Sequence, residues 1–189
     1  MEVYTAIRTR RDMEAFAEEC PAREVVARII EAATWAPNHR LTEPWRFYVV
    51  AGDRREAMGD ALAEWLAASG EPEGAQRSAR GKIMRAPMTI FVSQAGAGEG
   101  ASEEHAAEDY AACAAAIQNL LLAAHEEGLA AHYSTGLVIG YEKTREYLGL
   151  APGDRVVAMI NLGHLRADAP PKEGRRSAPV VTWDLPAGV

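Results

Sequence analysis

The amino-acid sequence predicts a single α+β domain over residues 1–189. Segments with helical periodicity alternate with short segments rich in aromatic and β-branched residues. A chain of 189 residues has the length of one ordinary domain and can bury a proper core. No internal repeat and no linker between two cores interrupts the sequence, so we expect one domain.

The apolar periodicity predicts four helices, which cover about residues 22–35, 53–70, 102–127 and 141–148. Pro37 stops the first helix, and Asp53 followed by Glu56 has the pattern of a capping box at the start of the second. Ser102 is the expected N-cap of the long third helix, and Gly128 ends it. One apolar stripe of that helix comprises Tyr110, Cys113, Ala114, Ile117, Leu120, Leu121 and Ala124. The helix is rich in alanine, which permits close backbone approach, so we expect it at the centre of the fold or at a subunit contact.

Four short segments predict strands, at residues 46–51, 88–92, 130–135 and 156–162. Residues 71–81 are polar and contain Pro72, Gly74 and Gly81, which favours a mobile loop. Residues 94–101 are rich in Gly and Ala and are expected to form an exposed loop. The tail from residue 167 contains four prolines and cannot form a long helix.

Composition narrows the class of protein. The net charge of −7 and the pI of about 5.3 argue against binding to duplex nucleic acid, which requires a basic surface. A few arginines could still form a local positive pocket for a phosphate. No apolar run is long enough to span a membrane, and the N-terminus lacks the apolar core of a signal peptide. The two cysteines form no CxxC motif or disulfide framework, so we expect reduced thiols and a cytoplasmic location.

Several chemical motifs can be set aside. Residues 96–101 match G-x-G-x-x-A, but the helix that follows opens with Glu103 and Glu104, which would repel a pyrophosphate. The five histidines have no metal-binding spacing, and those at 105, 125 and 132 are expected to be solvated or structural. No GxSxG motif occurs, and Cys113 is expected to be an inert packing residue. Hydrolase and metalloenzyme functions therefore find no support.

Three other segments could carry chemistry. The first is Arg10-Arg11-Asp12, with Phe16 shortly after it. The second is the loop at 36–47, which combines Pro37, Asn38 and His39 with Pro44-Trp45-Arg46-Phe47; Trp45 could simply fill the core. The third is Arg175-Arg176, near the C-terminus. Each arginine pair could be solvated, or its guanidinium groups could bind phosphate oxygens in pairs.

In this order, the three segments resemble the nitroreductase family of FMN enzymes over essentially the whole chain. The Ala36-Pro37-Asn38-His39 sequence is most similar to the short, minimal branch of candidate NAD(P)H nitroreductases. The resemblance implies an α+β sandwich with a central, mostly antiparallel sheet flanked by helices. It also implies a homodimer with the flavin at the subunit interface.

The resemblance also implies roles for individual residues. Contacts to FMN are implied for Arg10, Arg11, Asp12, His39, Tyr133, Ser134, Thr135, and Arg175 or Arg176. Arg10, Arg11 and the C-terminal pair would bind the phosphate, and His39 and the stretch from Tyr133 would lie along the flavin. Asp12 stands where Ser is common in the family, so we expect it to accept hydrogen bonds from the ribityl hydroxyls or to orient an arginine.

The implied activity is hydride transfer from NAD(P)H through FMN to a small oxidised acceptor such as a nitroaromatic or a quinone. The flavin would carry the chemistry, so no catalytic side chain is assigned. Two alternatives stay open. One is a flavin-cleaving enzyme of the same fold that makes a benzimidazole, since its Arg-Arg-Asp opening resembles residues 10–12. The other is a non-enzymatic FMN-binding protein.

Overall fold

The computed structural model describes residues 1–96, 102–174 and 179–182. The helices are α1 (Val3–Thr9), α2 (Arg23–Thr34), α3 (Asp53–Ala68), α4 (Glu73–Met84), α5 (Glu103–Glu126) and α6 (Glu142–Leu148). The strands are β1 (Trp45–Ala51), β2 (Met88–Gln94), β3 (Leu129–Ser134) and β4 (Arg155–His164). Short 3-10 turns occur at His39–Leu41 and Leu137–Gly140.

The four strands form one sheet in the order β1-β2-β4-β3, and every neighbouring pair is antiparallel. The two central strands, β2 and β4, are buried over almost their whole length. Because β3 is an edge strand, it has backbone groups free to bind another segment of the protein. The predicted α+β fold with an antiparallel sheet is confirmed.

Helices cover both faces of the sheet. Ile90 and Ile160 pack with α2 and α5 in one core cluster. Their neighbours Phe91 and Met159 point to the other face and pack with side chains of α3 and α4. This alternation follows from the two-residue period of a strand, and it places the sheet between two helical layers.

The prediction of a mobile loop at residues 71–81 is wrong, because most of this segment belongs to α4. Pro72 is the N-cap, and Arg77 forms an i,i+4 ion pair with Glu73 at 2.8 Å. Ala79 and Ile83 are buried against the α3 side of the fold. Because so few apolar residues are buried, the helical period of this segment is weak in the sequence. Tertiary packing stabilises the helix although Gly74 and Gly81 have low helix propensity.

The predicted capping box at the start of α3 is also wrong. Gly52 is the N-cap, with φ of 56°, and Asp53 is the first helical residue. Asp53 and Glu56 instead place two negative charges in the first turn, where they complement the helix dipole. The predicted N-cap of α5 is confirmed, since the Ser102 hydroxyl accepts a hydrogen bond from the His105 N–H at 3.2 Å.

The apolar stripe of α5 differs from the predicted one at two positions. Tyr110 and Ala114 are exposed, whereas Ala112 and Ala116 are buried with the remaining members of the stripe. Although α5 has 24 residues, neither it nor any other described helix is long and apolar enough to cross a membrane.

The predicted exposed loop at 94–101 begins one residue too early. Gln94 is the last residue of β2 and is completely buried. Its side chain donates to the Ala106 carbonyl at 2.8 Å and accepts from the Arg155 guanidinium at 2.9 Å. Residues 97–101, which include most of the glycine motif, lie outside the described residues.

The segment after α1 crosses the edge of the sheet. The Met13 N–H donates to the Ala131 carbonyl at 2.9 Å, and the Ala17 N–H donates to the His164 carbonyl at 2.9 Å. These backbone bonds hold the chain between Arg10 and Ala17 against β3 and against the end of β4. The first of the three sequence motifs is thereby placed beside the edge strand.

Candidate functional site

A groove runs between α5 and the edge of the sheet. Its first part is a cleft of about 400 Å³ lined by Arg10, Asp12, Ala114, Ile117, Gln118, Leu121 and Tyr133. Its second part is a cleft of about 610 Å³ lined by Glu103, Ala106, Ala107, Tyr110, Thr135, Ile139, Arg155, Val156 and Val157. We call the two clefts together the α5–β3 groove.

Helix and strand periodicity place the two clefts next to each other along α5. Tyr110 and Ala114 are one helical turn apart on α5. Tyr133 belongs to β3, and Thr135 directly follows the end of that strand. Burial raises the pKa of the Tyr133 hydroxyl, and the nearby Tyr110 raises it further. Because Tyr110 lines one cleft and Tyr133 lines the other, the groove has an aromatic centre between its two ends.

Arg10 lies at one end of the groove. It also lines a neighbouring cleft of about 380 Å³ together with Arg11 and Lys172. Among the residues that the structure describes, the Arg10 guanidinium has no hydrogen-bond partner and no ion pair. Its five N–H donors are therefore available to an anion at the point where the two clefts meet.

Arg11 has a different environment from Arg10. Its Nε donates to the Lys172 carbonyl at 3.0 Å, and its Nη1 donates to the Arg8 and Arg10 carbonyls at 2.7 and 2.9 Å. A Cβ added to Gly174 would lie 2.7 Å from Nη2. Arg11 thus uses much of its donor capacity to hold the end of α1 against the C-terminal segment.

Asp12 is anchored to β3. One carboxylate oxygen accepts from the Tyr133 N–H at 2.8 Å, and the other lies 2.7 Å from the His132 Nδ1. Burial raises the pKa of Asp12, but the hydrogen bonds from His132 and Tyr133 and the charges of His132 and Lys172 lower it below its usual value. Asp12 therefore carries a negative charge beside two arginines, and the protein itself supplies its hydrogen bonds.

Ser134, the last residue of β3, and Thr135, which follows it, have different surroundings. Thr135 lines the groove. The Ser134 hydroxyl points elsewhere and accepts a 3.4 Å hydrogen bond from the Gly136 N–H. A ligand in the groove could thus reach the Ser134 backbone, while its side chain stays within the turn.

His39 does not join these residues within one chain. Its Nδ1 lies 3.9 Å from Glu108, and it lines a separate cleft of about 480 Å³ with Ala111 and Ala115. At 3.6 residues per turn, this face of α5 is rotated from the Tyr110 face by roughly a third of a turn. The sequence-predicted site residues are therefore split over two faces of α5.

The loop that carries His39 is rigid and strained. Arg40, Leu41 and Glu43 have positive φ angles of 63°, 52° and 44°. The Asn38 side chain accepts from the Glu43 N–H at 3.0 Å, and Thr42 donates to Asp109 at 2.6 Å. Non-glycine residues in this conformation are costly, and such strain is found where a loop is held for a function.

Two further expectations for buried residues agree with the structure. Trp45 is 5% exposed and belongs to the core, so this loop does contain a packing residue. Burial, together with the negative charge of Asp109, raises the pKa of the Cys113 thiol to about 12, so this cysteine is inert. Arg175 and Arg176 lie outside the described residues.

Sequence reasoning missed three residues at the site. The expectation that His132 is solvated or structural holds in its structural form, but the sequence does not reveal its partner, Asp12. Tyr110, predicted to belong to the apolar stripe of α5, lines the groove instead. Lys172 lies at the Arg10 end. One feature of the sequence points to His132. It directly precedes Tyr133 in a predicted strand, so a segment that binds the edge of this strand can contact both residues.

Comparison with known proteins identifies the family of this chain. Residues 7–164 match the profile of the Nitroreductase family. The chain is 29% identical over 161 residues to YfhC of Bacillus subtilis, covering 84% of this chain and 81% of that protein. It is 27% identical over 166 residues to YdjA of Escherichia coli K12, covering 86% and 88%. Both relatives are named as candidate NAD(P)H nitroreductases.

Solved structures show the same fold. A nitroreductase-like protein from Bacillus cereus has a TM-score of 0.78 and 26% identity, with 96% of each chain covered. A candidate nitroreductase from Desulfovibrio desulfuricans, solved in complex with FMN, has a TM-score of 0.69 and 30% identity, with 94% and 92% covered. The family resemblance predicted from the three sequence motifs is confirmed: the chain belongs to the nitroreductase family.

Proposed function

We propose that the α5–β3 groove binds FMN and that the protein is an NAD(P)H-dependent flavin oxidoreductase acting on a small oxidised acceptor. Residues 1–189 would act as one FMN-binding domain. The observation that carries this proposal is Arg10, an unpaired guanidinium among the described residues, at one end of a groove with an aromatic centre. The relatives named as NAD(P)H nitroreductases and the FMN complex from Desulfovibrio desulfuricans support it.

The residues present fit a flavin phosphate. A phosphate monoester carries a charge of about −1.5 to −2 at neutral pH, as phosphorylated side chains do. Arg10 supplies donors in a planar fork, and Lys172 lies nearby. Gly174, which directly precedes Arg175 in the sequence, lies against the Arg11 guanidinium. Arg175 and Arg176 lie outside the described residues, and we propose, as the family resemblance implies, that one of them adds a donor to the same site.

The rest of the groove suits a planar ring. Ala107 and Ala114 leave room beside α5, while Tyr110 and Tyr133 provide apolar surface at its centre. Bound FMN would supply the hydride-transfer chemistry, and the protein would supply position and exclusion of water. Arg10 would hold the phosphate, and the backbone around Thr135 would run along the ring. No side chain is assigned a proton-transfer role.

We also propose that the protein works as a homodimer. Exposed small or polar residues recur along α5 at Ala107, Ala111, Ala114 and Gln118, which would let a second helix approach closely. The His39 loop lies on a different face of α5 from Arg10. A second copy packed on α5 could bring its own His39 loop over this groove and complete the site.

The flavin-cleaving alternative is less well supported. Its main attraction is the Arg-Arg-Asp opening, but the structure gives Asp12 a structural partner in His132 and another in the Tyr133 N–H. An aspartate at this position therefore needs no special reaction to explain it. The non-enzymatic alternative predicts bound FMN without turnover.

The absorbance spectrum of the purified protein tests the proposal. We expect flavin bands, release of FMN and not FAD on denaturation, and steady oxidation of NADH or NADPH when a quinone or nitroaromatic is added. Light scattering should give a dimer. A colourless protein that takes up no added FMN would refute flavin binding, and bound FMN without NAD(P)H oxidation would favour the non-enzymatic alternative. Loss of the flavin spectrum with formation of a benzimidazole would favour the cleaving enzyme.

A further inference from the structure

The residues that follow Arg10 and Arg11 are fixed to β3 in the manner of an added strand. The Met13 N–H donates to the Ala131 carbonyl, and the Asp12 carboxylate accepts from the Tyr133 N–H. Ala131 and Tyr133 are the positions whose backbone groups point away from β4. The carboxylate of Asp12 thus takes the place that a backbone carbonyl would occupy in a further strand.

His132 secures the other half of this carboxylate. Its Nδ1 lies 2.7 Å from the second oxygen of Asp12, and its side chain is only 18% exposed. The ring comes from the opposite side of β3 to the Tyr133 ring, because neighbouring strand residues alternate. Asp12 is therefore held at both oxygens, by two consecutive residues of one strand.

The other charged groups near His132 do not replace Asp12 as its partner. Glu14 lies close to Asp12 and His132, and the three could in principle hold a cation. However, Glu14 forms ion pairs with Arg85 and with Lys172, the latter at 3.6 Å. Two cations already neutralise this carboxylate, so an anchor explains the cluster better than a metal site does. Across the sheet, His132 is paired with Asn161, which has no charge.

We propose that His132 is a positioning residue for the phosphate end of the groove. Through Asp12 it fixes the turn from which Arg10 enters the groove, and so it sets the affinity for phosphate-bearing ligands without touching them. This inference rests on the proposed FMN site. It predicts an effect of His132 on the affinity for FMN and no effect on the affinity for riboflavin, which lacks the phosphate.

Binding of the two flavins to the flavin-free full-length protein tests the proposal. His132→Leu removes the donor to Asp12 and should weaken FMN binding by about tenfold, with riboflavin affinity changed by less than about twofold. His132→Asn is the matched control, because its amide nitrogen occupies the position of Nδ1 and should restore most of the FMN affinity. His132→Gln, which places its amide one bond further out, replaces the leucine variant if that variant does not fold.

Two more measurements separate positioning from a general structural role. In an Arg10→Ala background, His132→Leu should change FMN affinity by less than about twofold, since the group it positions is gone. Without any flavin, the Tyr133 amide should exchange with deuterium faster in His132→Leu than in the wild type, and His132→Asn should slow it again.

The possible results are decisive. Equal losses for FMN and riboflavin, or an undiminished effect of His132→Leu in the Arg10→Ala background, would overturn the positioning role. Unchanged FMN affinity in His132→Leu would overturn it as well. If wild-type protein binds neither flavin, the proposed function fails first, and that failure is visible before any variant is made.

Discussion

The Nε of Arg11 donates a 3.0 Å hydrogen bond to the backbone carbonyl of Lys172, a residue 161 positions later in the chain. This bond joins the two ends of the protein beside the groove. It also separates the roles of two adjacent arginines that the sequence presents as a pair. Arg11 holds protein segments together, whereas Arg10 is free, among the described residues, to meet a ligand.

Arg10→Ala should therefore weaken FMN binding by roughly tenfold to a hundredfold, since a hydrogen bond to a charged group contributes about 1.5–3 kcal/mol. Riboflavin affinity should be nearly unchanged. Titration of flavin fluorescence with the flavin-free protein measures both. Arg11→Ala is the comparison variant and should lower the free energy of unfolding in urea, which Arg10→Ala should leave nearly intact. Similar losses for both flavins in Arg10→Ala would mean that the groove itself was damaged.

The Asp12 anchor should give an acid-sensitive contribution to stability. The pKa of Asp12 in the folded protein is below its usual value of 3.8, so the folded state favours the carboxylate. Its contribution is fully present above the unfolded-state pKa and is lost as the pH falls through the folded-state pKa. The difference in free energy of unfolding between wild type and Asp12→Asn should be constant above about pH 5 and shrink below about pH 4. Urea unfolding across this range measures it, and a difference independent of pH would argue against the anchor.

The strained loop offers a stability test. Leu41 is 82% exposed and has a positive φ, so Leu41→Gly removes backbone strain and loses little buried surface. We expect the free energy of unfolding to rise by about 1 kcal/mol. Glu64→Gly, at an exposed position within α3, should instead lower it by about 1 kcal/mol. Equal destabilisation by the two substitutions would show that the loop stores no strain.

Thiol reactivity should distinguish the two cysteines. Burial raises the pKa of Cys113 to about 12, whereas Cys20 is exposed. A thiol reagent at pH 8 should therefore modify one thiol per chain in the native protein and two after unfolding. Cys20→Ser should abolish the native reaction. Rapid modification of Cys113 in that variant would indicate that α5 opens readily.

Gly163 should be sensitive to a single added methyl group. A Cβ there would lie 2.8 Å from the ring of Pro87 and 3.3 Å from Phe16. Gly163→Ala should lower the free energy of unfolding by about 1–3 kcal/mol. Gly81→Ala is the control, because a Cβ at this exposed position of α4 meets nothing within 4 Å and should stabilise the helix by up to about 1 kcal/mol. Thermal unfolding compares them, and equal effects would contradict the close packing at Gly163.

Features that depend on a few neighbouring residues can be predicted from the amino-acid sequence alone. The apolar period of α2, the extent of α5, the Ser102 cap and the central strands follow from local side-chain patterns, and these predictions are confirmed. The buried stripe of α5 differs from the predicted one at two positions. The three motifs that resemble the family can also be recognised in the sequence, because the resemblance depends on residue types at given positions.

How these motifs are arranged depends on contacts that form only in the folded protein. Helix α4 forms because two buried residues find a partner surface, and Gln94 is buried because Arg155 and Ala106 satisfy its side chain. Asp12 is joined to His132 across 120 positions of sequence. No local pattern encodes such a contact, since it depends on which segments the folded sheet brings together. The separate roles of Arg10 and Arg11, and of Asp12 and His132, therefore become apparent only when both ends of the chain meet at β3.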